Sequence, residues 1–284
     1  MPLEPVFSLF AGQVKDIFMA HIFHVLTIAL YAAATAAYLA CLFCSSDTII
    51  LWGRRILAGG CFAHILSTIH LVSLKRHLPL TEMQESLSFL ALLLVVFFLF
   101  FERKYRVATL GSFITPLALL MLIVSGGLHG EARELPPILQ SNWFWFHTML
   151  AFMSYAAFAI ACGVAVIYLL QRHFLKKKNL GPLFRRLPSL ETLDEISYRA
   201  LSAGFPLLTA AIISGAIWSE QAAGSYWTWD PKQTWSFVTW LVYAALLHGR
   251  LTAGWRGRRA AILSIIGFIA VLVTFLGVKH GISW

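Results

Sequence analysis

The stretch WFHTMLAFMSYAAFAIACGVAVIYLL, residues 145–170, contains no Asp, Glu, Lys or Arg. A helix needs about 20 predominantly apolar residues to cross a bilayer, and this stretch is long enough to do so. Similar segments recur along the chain, although 86–101 and 235–249 need flanking residues to reach that length. The sequence therefore predicts about eight transmembrane helices, at roughly 18–43, 50–73, 86–101, 107–126, 145–170, 201–218, 235–249 and 260–278.

The composition of the whole chain agrees with a lipid environment. Of its 284 residues, 59% are hydrophobic and only 12% are charged, and the mean hydropathy is +0.75. A soluble domain of this size carries about 25% charged residues, so this chain has too few to cover a water-facing surface. We predict an all-α polytopic membrane protein, a bundle forming a single transmembrane domain over residues 1–284.

The distribution of the basic residues predicts the orientation. The formal net charge is +9, and cytoplasmic loops of membrane proteins are enriched in Lys and Arg. Most of these residues fall on the first, third, fifth and seventh loops: Arg54, Arg55, Arg103, Lys104, Arg106, Arg172, Lys176, Lys177, Lys178, Arg185, Arg186, Arg199, Arg250, Arg256, Arg258 and Arg259. We therefore expect these loops in the cytoplasm and both termini outside. The basic loops are expected to contact anionic membrane lipid, and no nucleic acid is expected as a partner.

The segment SEQAAGSYWTWDPKQTW, residues 219–235, is the most unusual part of the sequence and is called the Trp loop below. Aromatic side chains stack on flat, conjugated ligands, so the segment could form a binding platform. The alternative is an aromatic belt at the membrane interface, but belts are usually spread over several helix ends. Its notable side chains are Tyr226, Trp227, Trp229, Asp230, Lys232 and Trp235.

Three histidines are candidate metal ligands, because histidine is costly within a membrane and is a frequent ligand of heme iron. His147 and His280 fall on the predicted outer side together with the Trp loop, where their imidazoles could ligate one iron from both faces. They could equally be interfacial histidines bonded to water. His248 lies toward the opposite side, at a separation of roughly 20 Å from Trp235 along a helix. It could be a second ligand site, or a histidine near a helix C-terminus, where a cation is favoured.

Several separated stretches resemble the CcsA (ResC) branch of the cytochrome c biogenesis proteins. YWTWDPKQTWSFVTWLVYAALLHGR, residues 226–250, resembles the "WWD" signature of this heme-handling family. The stretches 77–90, 143–158 and 187–218 resemble the same branch and occur in the same order. The resemblance covers most of residues 70–284, whereas the first 60 residues carry little of it.

The resemblance implies a function and a set of site residues. The chain would be a subunit of a cytochrome c heme lyase, or holocytochrome c synthase. With a CcsB/ResB-type membrane subunit it would export heme b and attach it to CxxCH motifs of apocytochrome c. His147 and His280 would be the outer iron ligands, and Tyr226 to Trp235 the heme platform. His248 would bind heme within the membrane, together with a histidine of the partner.

The resemblance further implies a location and one more partner. The chain would be a multi-pass protein of the cell inner (plasma) membrane with a periplasmic, or extracytoplasmic, active face. A thiol-reducing protein would belong to the same pathway, because the CxxCH thiols must be reduced before they react.

Two departures from the family signature keep other functions open. Ala223 stands where the signature usually has Trp, and Gln233 stands where an acidic residue often follows Pro-Lys. A heme-binding transporter without ligation activity, or a regulator of heme biosynthesis, would use the same fold. A secondary transporter is a further alternative, but the sequence has no evident internal repeat of the kind that many such transporters contain.

Overall fold

The computed structural model describes residues 4–44, 46–128, 136–178 and 181–278, with side chains from residue 18 onward. This part of the chain is helical, without β-strands. The α-helices are α1 (Glu4–Ala40), α2 (Asp47–Lys75), α3 (Met83–Tyr105), α4 (Gly111–Gly127), α5 (Asn142–Lys176), α6 (Pro182–Arg186), α7 (Leu190–Ala223), α8 (Pro231–Thr252) and α9 (Arg258–Leu272). Short 3₁₀ segments occupy Ala108–Leu110 and Pro137–Gln140, and a π-helical turn, Val273–Gly277, follows α9.

The predicted fold class, an all-α polytopic membrane protein, is confirmed. Within the described residues, 7 helices are long and apolar enough to cross a membrane. They contain seven of the segments predicted from the sequence. The remaining segment, 235–249, lies within α8, which has 22 residues but a lower apolar content. Some of its polar groups contact neighbouring helices: the Thr239 and Thr274 hydroxyls lie 3.2 Å apart, and Arg250 pairs with Asp194.

Helix α5 forms the centre of the bundle. Of its most apolar 18-residue window, 83% is buried, compared with 28% for α1 and α2. It packs along α7 and also contacts α3 and α9. Small residues such as Ala156, Ala157 and Gly163 allow these neighbours to approach closely, and a Cβ at Gly163 would lie 2.6 Å from the ring of Phe113. Close helix contact through small residues is typical of membrane bundles.

The two ends of the bundle are held together by different polar contacts. At the end that carries residues 219–235, the Trp-loop end, Lys75 forms an ion pair with Glu85, and Ser125 donates a hydrogen bond to the carbonyl of Gln84 at 2.8 Å. At the other end, the basic end, Arg54 pairs with Glu102 at 3.2 Å. The basic loops thus cluster at one end, as the alternation of the helices predicts.

Candidate functional site at the Trp-loop end

The Trp loop is held between two well-capped helix ends. Helix α7 continues to Ala223 and ends at Gly224, whose φ of 66° is the left-handed conformation that favours glycine. Helix α8 begins at Pro231, with Asp230 as its N-cap: the Asp230 carboxylate accepts a hydrogen bond from the Gln233 N–H at 2.8 Å. The non-helical part of the predicted loop 219–235 is therefore only 224–230, because both flanking helices extend into it.

Gln233 ties the loop together internally. Its side-chain oxygen accepts hydrogen bonds from the Thr228 N–H at 2.8 Å and from the Thr228 hydroxyl at 3.2 Å. Its side-chain amide donates to the hydroxyl of Ser219 at 3.2 Å. A Glu at this position could accept the first two bonds but could not donate the third. The departure from the family signature at Gln233 therefore has a structural use in this chain.

The aromatic residues of the loop divide into an exposed and a covered set. Tyr226 is 62% exposed and Trp229 is 68% exposed, so both present a face to the exterior. Trp227 is half-buried and meets Trp229 edge to face, with ring centroids 5.7 Å apart. Trp235 lies in the first turns of α8 and is 38% exposed. The exposed rings suit stacking on a flat ligand, while Trp227 faces the helix bundle.

His147 stands beneath this loop with one ring nitrogen fixed. Its Nδ1 lies 2.7 Å from the carbonyl oxygen of Ala211. Because a carbonyl only accepts hydrogen bonds, Nδ1 carries the proton and Nε2 keeps its lone pair. Nε2 has no hydrogen-bond partner among the described residues. This is the arrangement found in metal-ligating histidines, where a backbone carbonyl fixes the tautomer and the ring orientation.

Gly215 makes room for the His147 ring. A Cβ added to Gly215 would lie 2.6 Å from Nδ1 of His147 and 2.8 Å from its Cε1. Helix α7 therefore contributes two features: the gap at Gly215 into which the imidazole fits, and, one turn earlier, the Ala211 carbonyl that accepts its hydrogen bond. Sequence inspection missed this residue, although a glycine inside an apolar helix signals a close approach.

His147 lines two adjoining cavities. The larger, of about 550 Å³, lies between the ends of α3, α5 and α8 and the π-helical turn, and its lining is mostly apolar. The smaller, of about 60 Å³, lies between α5, α7 and α8 and includes Trp227 and Gln233. Both cavities also share Tyr155, Trp218 and Lys232. A mostly apolar cavity of this size with a few convergent polar groups is typical of small-molecule sites.

Lys232 is the charged group of these cavities. It is half-buried and forms no ion pair with any described carboxylate. Burial lowers the pKa of its ammonium below the usual range, and the nearby charge of Asp230 opposes that effect. An anionic group placed in the cavity would stabilise this ammonium.

The second predicted outer ligand, His280, lies outside the described residues. The described chain reaches Val278, which lines the larger cavity together with His147 and Lys232. The chain thus arrives at the cavity two positions before His280. The prediction that His147 and His280 share one iron stays a prediction.

His248 occupies a different region, as predicted. It lies near the C-terminal end of α8 at the basic end and is exposed on the helix surface. Next to it, Arg250 is buried and forms a two-pronged ion pair with Asp194 at the start of α7. This pair fixes the end of α8, and the His248 imidazole lies on its exposed face.

His64, in α2, is a buried histidine whose surroundings differ from those of His147. It is 2% exposed, its Nδ1 lies 3.2 Å from the Tyr31 hydroxyl, and its Nε2 lies 3.0 Å from the Ser88 hydroxyl. Both ring nitrogens are therefore used within the protein. Within the described ranges, no three His, Cys, Asp or Glu residues group into a metal site. An iron bound at either histidine would therefore have few ligands from the described part of the protein.

A family model described as "Cytochrome C assembly protein" matches residues 80–283 of the chain. The matched region contains the Trp loop, His147, His248 and His280.

The chain belongs to the cytochrome c assembly protein family.

Curated relatives place the chain in the CcsA branch of the cytochrome c assembly family. The "Cytochrome c biogenesis protein CcsA" of Guillardia theta is 36% identical over 258 residues, covering 82% of this chain and 85% of the relative. That of Microcystis aeruginosa is 36% identical over 262 residues, covering 73% and 80%. The CcsA-type resemblance and the predicted role in cytochrome c assembly, a heme-handling function, are confirmed.

A solved structure shares the fold. "Cytochrome c Heme Lyase CcmF" aligns with a TM-score of 0.74 and 16% sequence identity, over 94% of this chain and 47% of that chain. This chain therefore spans about half the length of CcmF and corresponds to one part of it. At this identity the likeness concerns the arrangement of helices, which this member of the cytochrome c assembly family has in common with the lyase.

Proposed function

We propose that the chain holds heme b as its cargo at the Trp-loop end and presents it for attachment to CxxCH motifs of apocytochrome c. Nε2 of His147 would be one iron ligand and His280 the other. The observation that carries this proposal is the hydrogen bond from His147 Nδ1 to the Ala211 carbonyl. That bond leaves Nε2 as an available ligand beside a mostly apolar cavity.

The residues of the cavity and of the Trp loop above it fit a heme in three respects. The apolar lining would receive the macrocycle, and Tyr226 and Trp229 offer exposed rings for stacking. His147 supplies an unprotonated nitrogen for the iron. Lys232 supplies a positive charge for an acidic edge. Two imidazole ligands would keep the iron coordinatively saturated, which restrains reaction with oxygen.

The protein's contribution to the chemistry would be positioning. In each attachment a cysteine S–H adds across a vinyl C=C bond: the sulfur forms a bond to one carbon, and the hydrogen goes to the other. The histidine of CxxCH would replace one of the two imidazoles on the iron, which places both thiols beside the vinyl groups. Holding reactants in this way can supply a large part of the rate enhancement.

We further propose that a CcsB/ResB-type subunit covers the exposed face of α8. His248 would then ligate heme within the membrane together with a histidine of that subunit. Support comes from the exposure of Leu241, His248 and Leu251 along α8, which packs against α7, α9 and the π-helical turn. The active face would be extracytoplasmic, because the basic loops lie at the opposite end. The membrane would be the cell inner membrane, as the family resemblance implies.

Imidazole rescue tests the ligand assignment. The chain is co-expressed with its partner subunit, and the heme spectrum of the purified complex is recorded for wild type, His147→Gly and His280→Gly. Each variant should lose the bis-histidine spectrum and recover it when imidazole is added. His173→Gly, on the same helix as His147 but exposed at the basic end, is the matched control. Unchanged spectra in both outer variants would contradict the proposal.

Thioether formation separates ligation from simple heme delivery. A CxxCH peptide supplied to the heme-loaded complex should acquire covalent heme that survives acid acetone extraction. Bound heme without any covalent product would favour a heme-binding transporter instead. Intact c-type cytochromes in a strain that lacks the gene would favour a regulator of heme biosynthesis.

A further inference from the structure

Lys232 differs from three other cations of the described bundle, which are all paired with carboxylates. Lys75 pairs with Glu85, Arg54 with Glu102, and Arg250 with Asp194. Lys232 has no such carboxylate partner among the described residues, although its side chain lines both cavities at the Trp-loop end. Charged groups that lie within a protein are normally paired, so an unpaired ammonium in a cavity indicates an anionic ligand.

The acidic side chain whose charge acts on Lys232 already caps a helix. Asp230, two residues before Lys232, caps α8 through the bond that its carboxylate accepts from the Gln233 N–H. Its position at the helix start is fixed by Pro231 and by that cap. The Asp230 charge acts on Lys232 without forming an ion pair with it.

A second polar group of the small cavity also lacks a partner. The indole Nε1 of Trp227 is buried and donates to no acceptor within the described part of the chain. Trp227 and Lys232 line this cavity together with His147. A buried donor without an acceptor is costly, and a ligand that carries acceptor oxygens would satisfy both this indole N–H and the unpaired Lys232 ammonium.

We infer that Lys232 and Trp227 form a carboxylate-binding corner that orients the cargo by its acidic edge. The inference rests on the proposed heme site. Heme carries two propionate groups on one edge and two vinyl groups elsewhere on the ring. An ammonium that holds a propionate, while His147 holds the iron, fixes the rotation of the ring and hence the direction in which the vinyl groups face. Lys232 is thus a positioning residue, which sets the orientation and specificity of binding.

Esterified heme separates this role from a structural one. Hemin and hemin dimethyl ester are titrated into the heme-free complex of chain and partner, for wild type, Lys232→Gln, Lys232→Arg and Trp227→Phe. The ester retains the iron and the ring but lacks the negative charges. Lys104→Gln, which removes an exposed ammonium at the basic end, is the control.

The Lys232 and Trp227 variants are expected to lose affinity for the charged ligand, hemin, and not for the uncharged ester. Wild type should bind hemin about 10-fold or more tightly than the ester, because charge-assisted hydrogen bonds are the strong ones. Lys232→Gln should weaken hemin binding by a similar factor and leave ester binding unchanged, and Lys232→Arg should restore most of it. Trp227→Phe should give a smaller loss that is likewise confined to hemin.

Two results would overturn the inference while the proposed function stands. Wild type could bind hemin and its ester equally, or Lys232→Gln could weaken both by the same factor, which would make Lys232 a structural residue only. If wild type binds neither hemin nor its ester, the proposed heme site is contradicted, and so is the carboxylate-binding corner.

Discussion

His147 and His64 are both histidines within the helix bundle, and their surroundings differ in one decisive respect. His64 makes a contact with each ring nitrogen, to Tyr31 on one side and Ser88 on the other. His147 uses only Nδ1, toward the Ala211 carbonyl, and lines a cavity. The comparison teaches that burial alone does not identify a ligand histidine. The number of ring nitrogens that the fold already occupies is the better guide.

The largest expected difference lies between the two histidine-to-alanine variants. His147→Ala should abolish the bis-histidine heme spectrum and cytochrome maturation, because no other described histidine lines the larger cavity. His64→Ala should retain both the spectrum and maturation. Spectra of the two purified complexes, with total heme measured as the pyridine hemochrome, check this. The comparison breaks if His64→Ala loses heme while His147→Ala keeps it.

A smaller loss of heme affinity is expected when His147 is kept but its ring is displaced. In Gly215→Ala the new methyl group would lie 2.6 Å from Nδ1 of His147, so the ring must move and its bond to Ala211 must weaken. Loss of such a supporting bond typically costs about 10–100-fold in metal affinity. A heme titration measures the loss. Gly59→Ala is the control, because a Cβ at Gly59 meets nothing within 4 Å; equal affinities in the two variants would contradict the account.

A several-fold loss of heme affinity is expected when the hydrogen bonds that Gln233 makes within the Trp loop are removed. Gln233→Ala removes the bonds to both groups of Thr228 and to Ser219, which should loosen the Trp loop without touching His147. Gln233→Glu keeps the acceptor and should lie between wild type and Gln233→Ala. Heme affinity and tryptophan fluorescence report the effect. Identical behaviour of Ala and Glu variants would show that the bridge does not organise the loop.

The smallest change in heme binding is expected for His64→Ala. This substitution should instead lower the stability of the protein. Removal of the His64 ring leaves two hydroxyl groups, those of Tyr31 and Ser88, without this partner. An unsatisfied buried polar group costs about 1–3 kcal/mol in the free energy of unfolding. Thermal unfolding of His64→Ala in detergent should thus begin at a lower temperature than wild type, with heme content unchanged. Unchanged stability would mean that this hydrogen-bond chain contributes little.

The sequence was sufficient for the fold class, because long uncharged segments have few alternatives to a membrane bundle. It located the helices, but it underestimated α7, whose polar first turns begin at a Ser189 cap and whose last turn enters the Trp loop. Amphipathic ends of this kind fall below the hydropathy that marks a span. Helix ends depend on caps such as Gly224 and Asp230 more than on apolar content.

The site was predictable only in part. Histidine type, aromatic clustering and family resemblance pointed to His147 and the Trp loop. The supporting residues were not predicted, because Gly215 and Ala211 are ordinary small residues until α7 packs against α5. Asp230 belongs to the predicted heme platform, and in the structure its carboxylate caps α8. Gln233 was noted as a departure from the family signature, and its bonds give it a purpose of its own.

Replacement of His147 by cysteine, another iron ligand, is the most direct test of the central claim that Nε2 of His147 binds iron. The electronic absorption and electron paramagnetic resonance spectra of the heme-loaded His147→Cys complex would be compared with those of wild type. The bis-histidine signature should change to that of a histidine–thiolate heme, because the axial ligand sets these spectra. An unchanged bis-histidine spectrum in His147→Cys would contradict that claim.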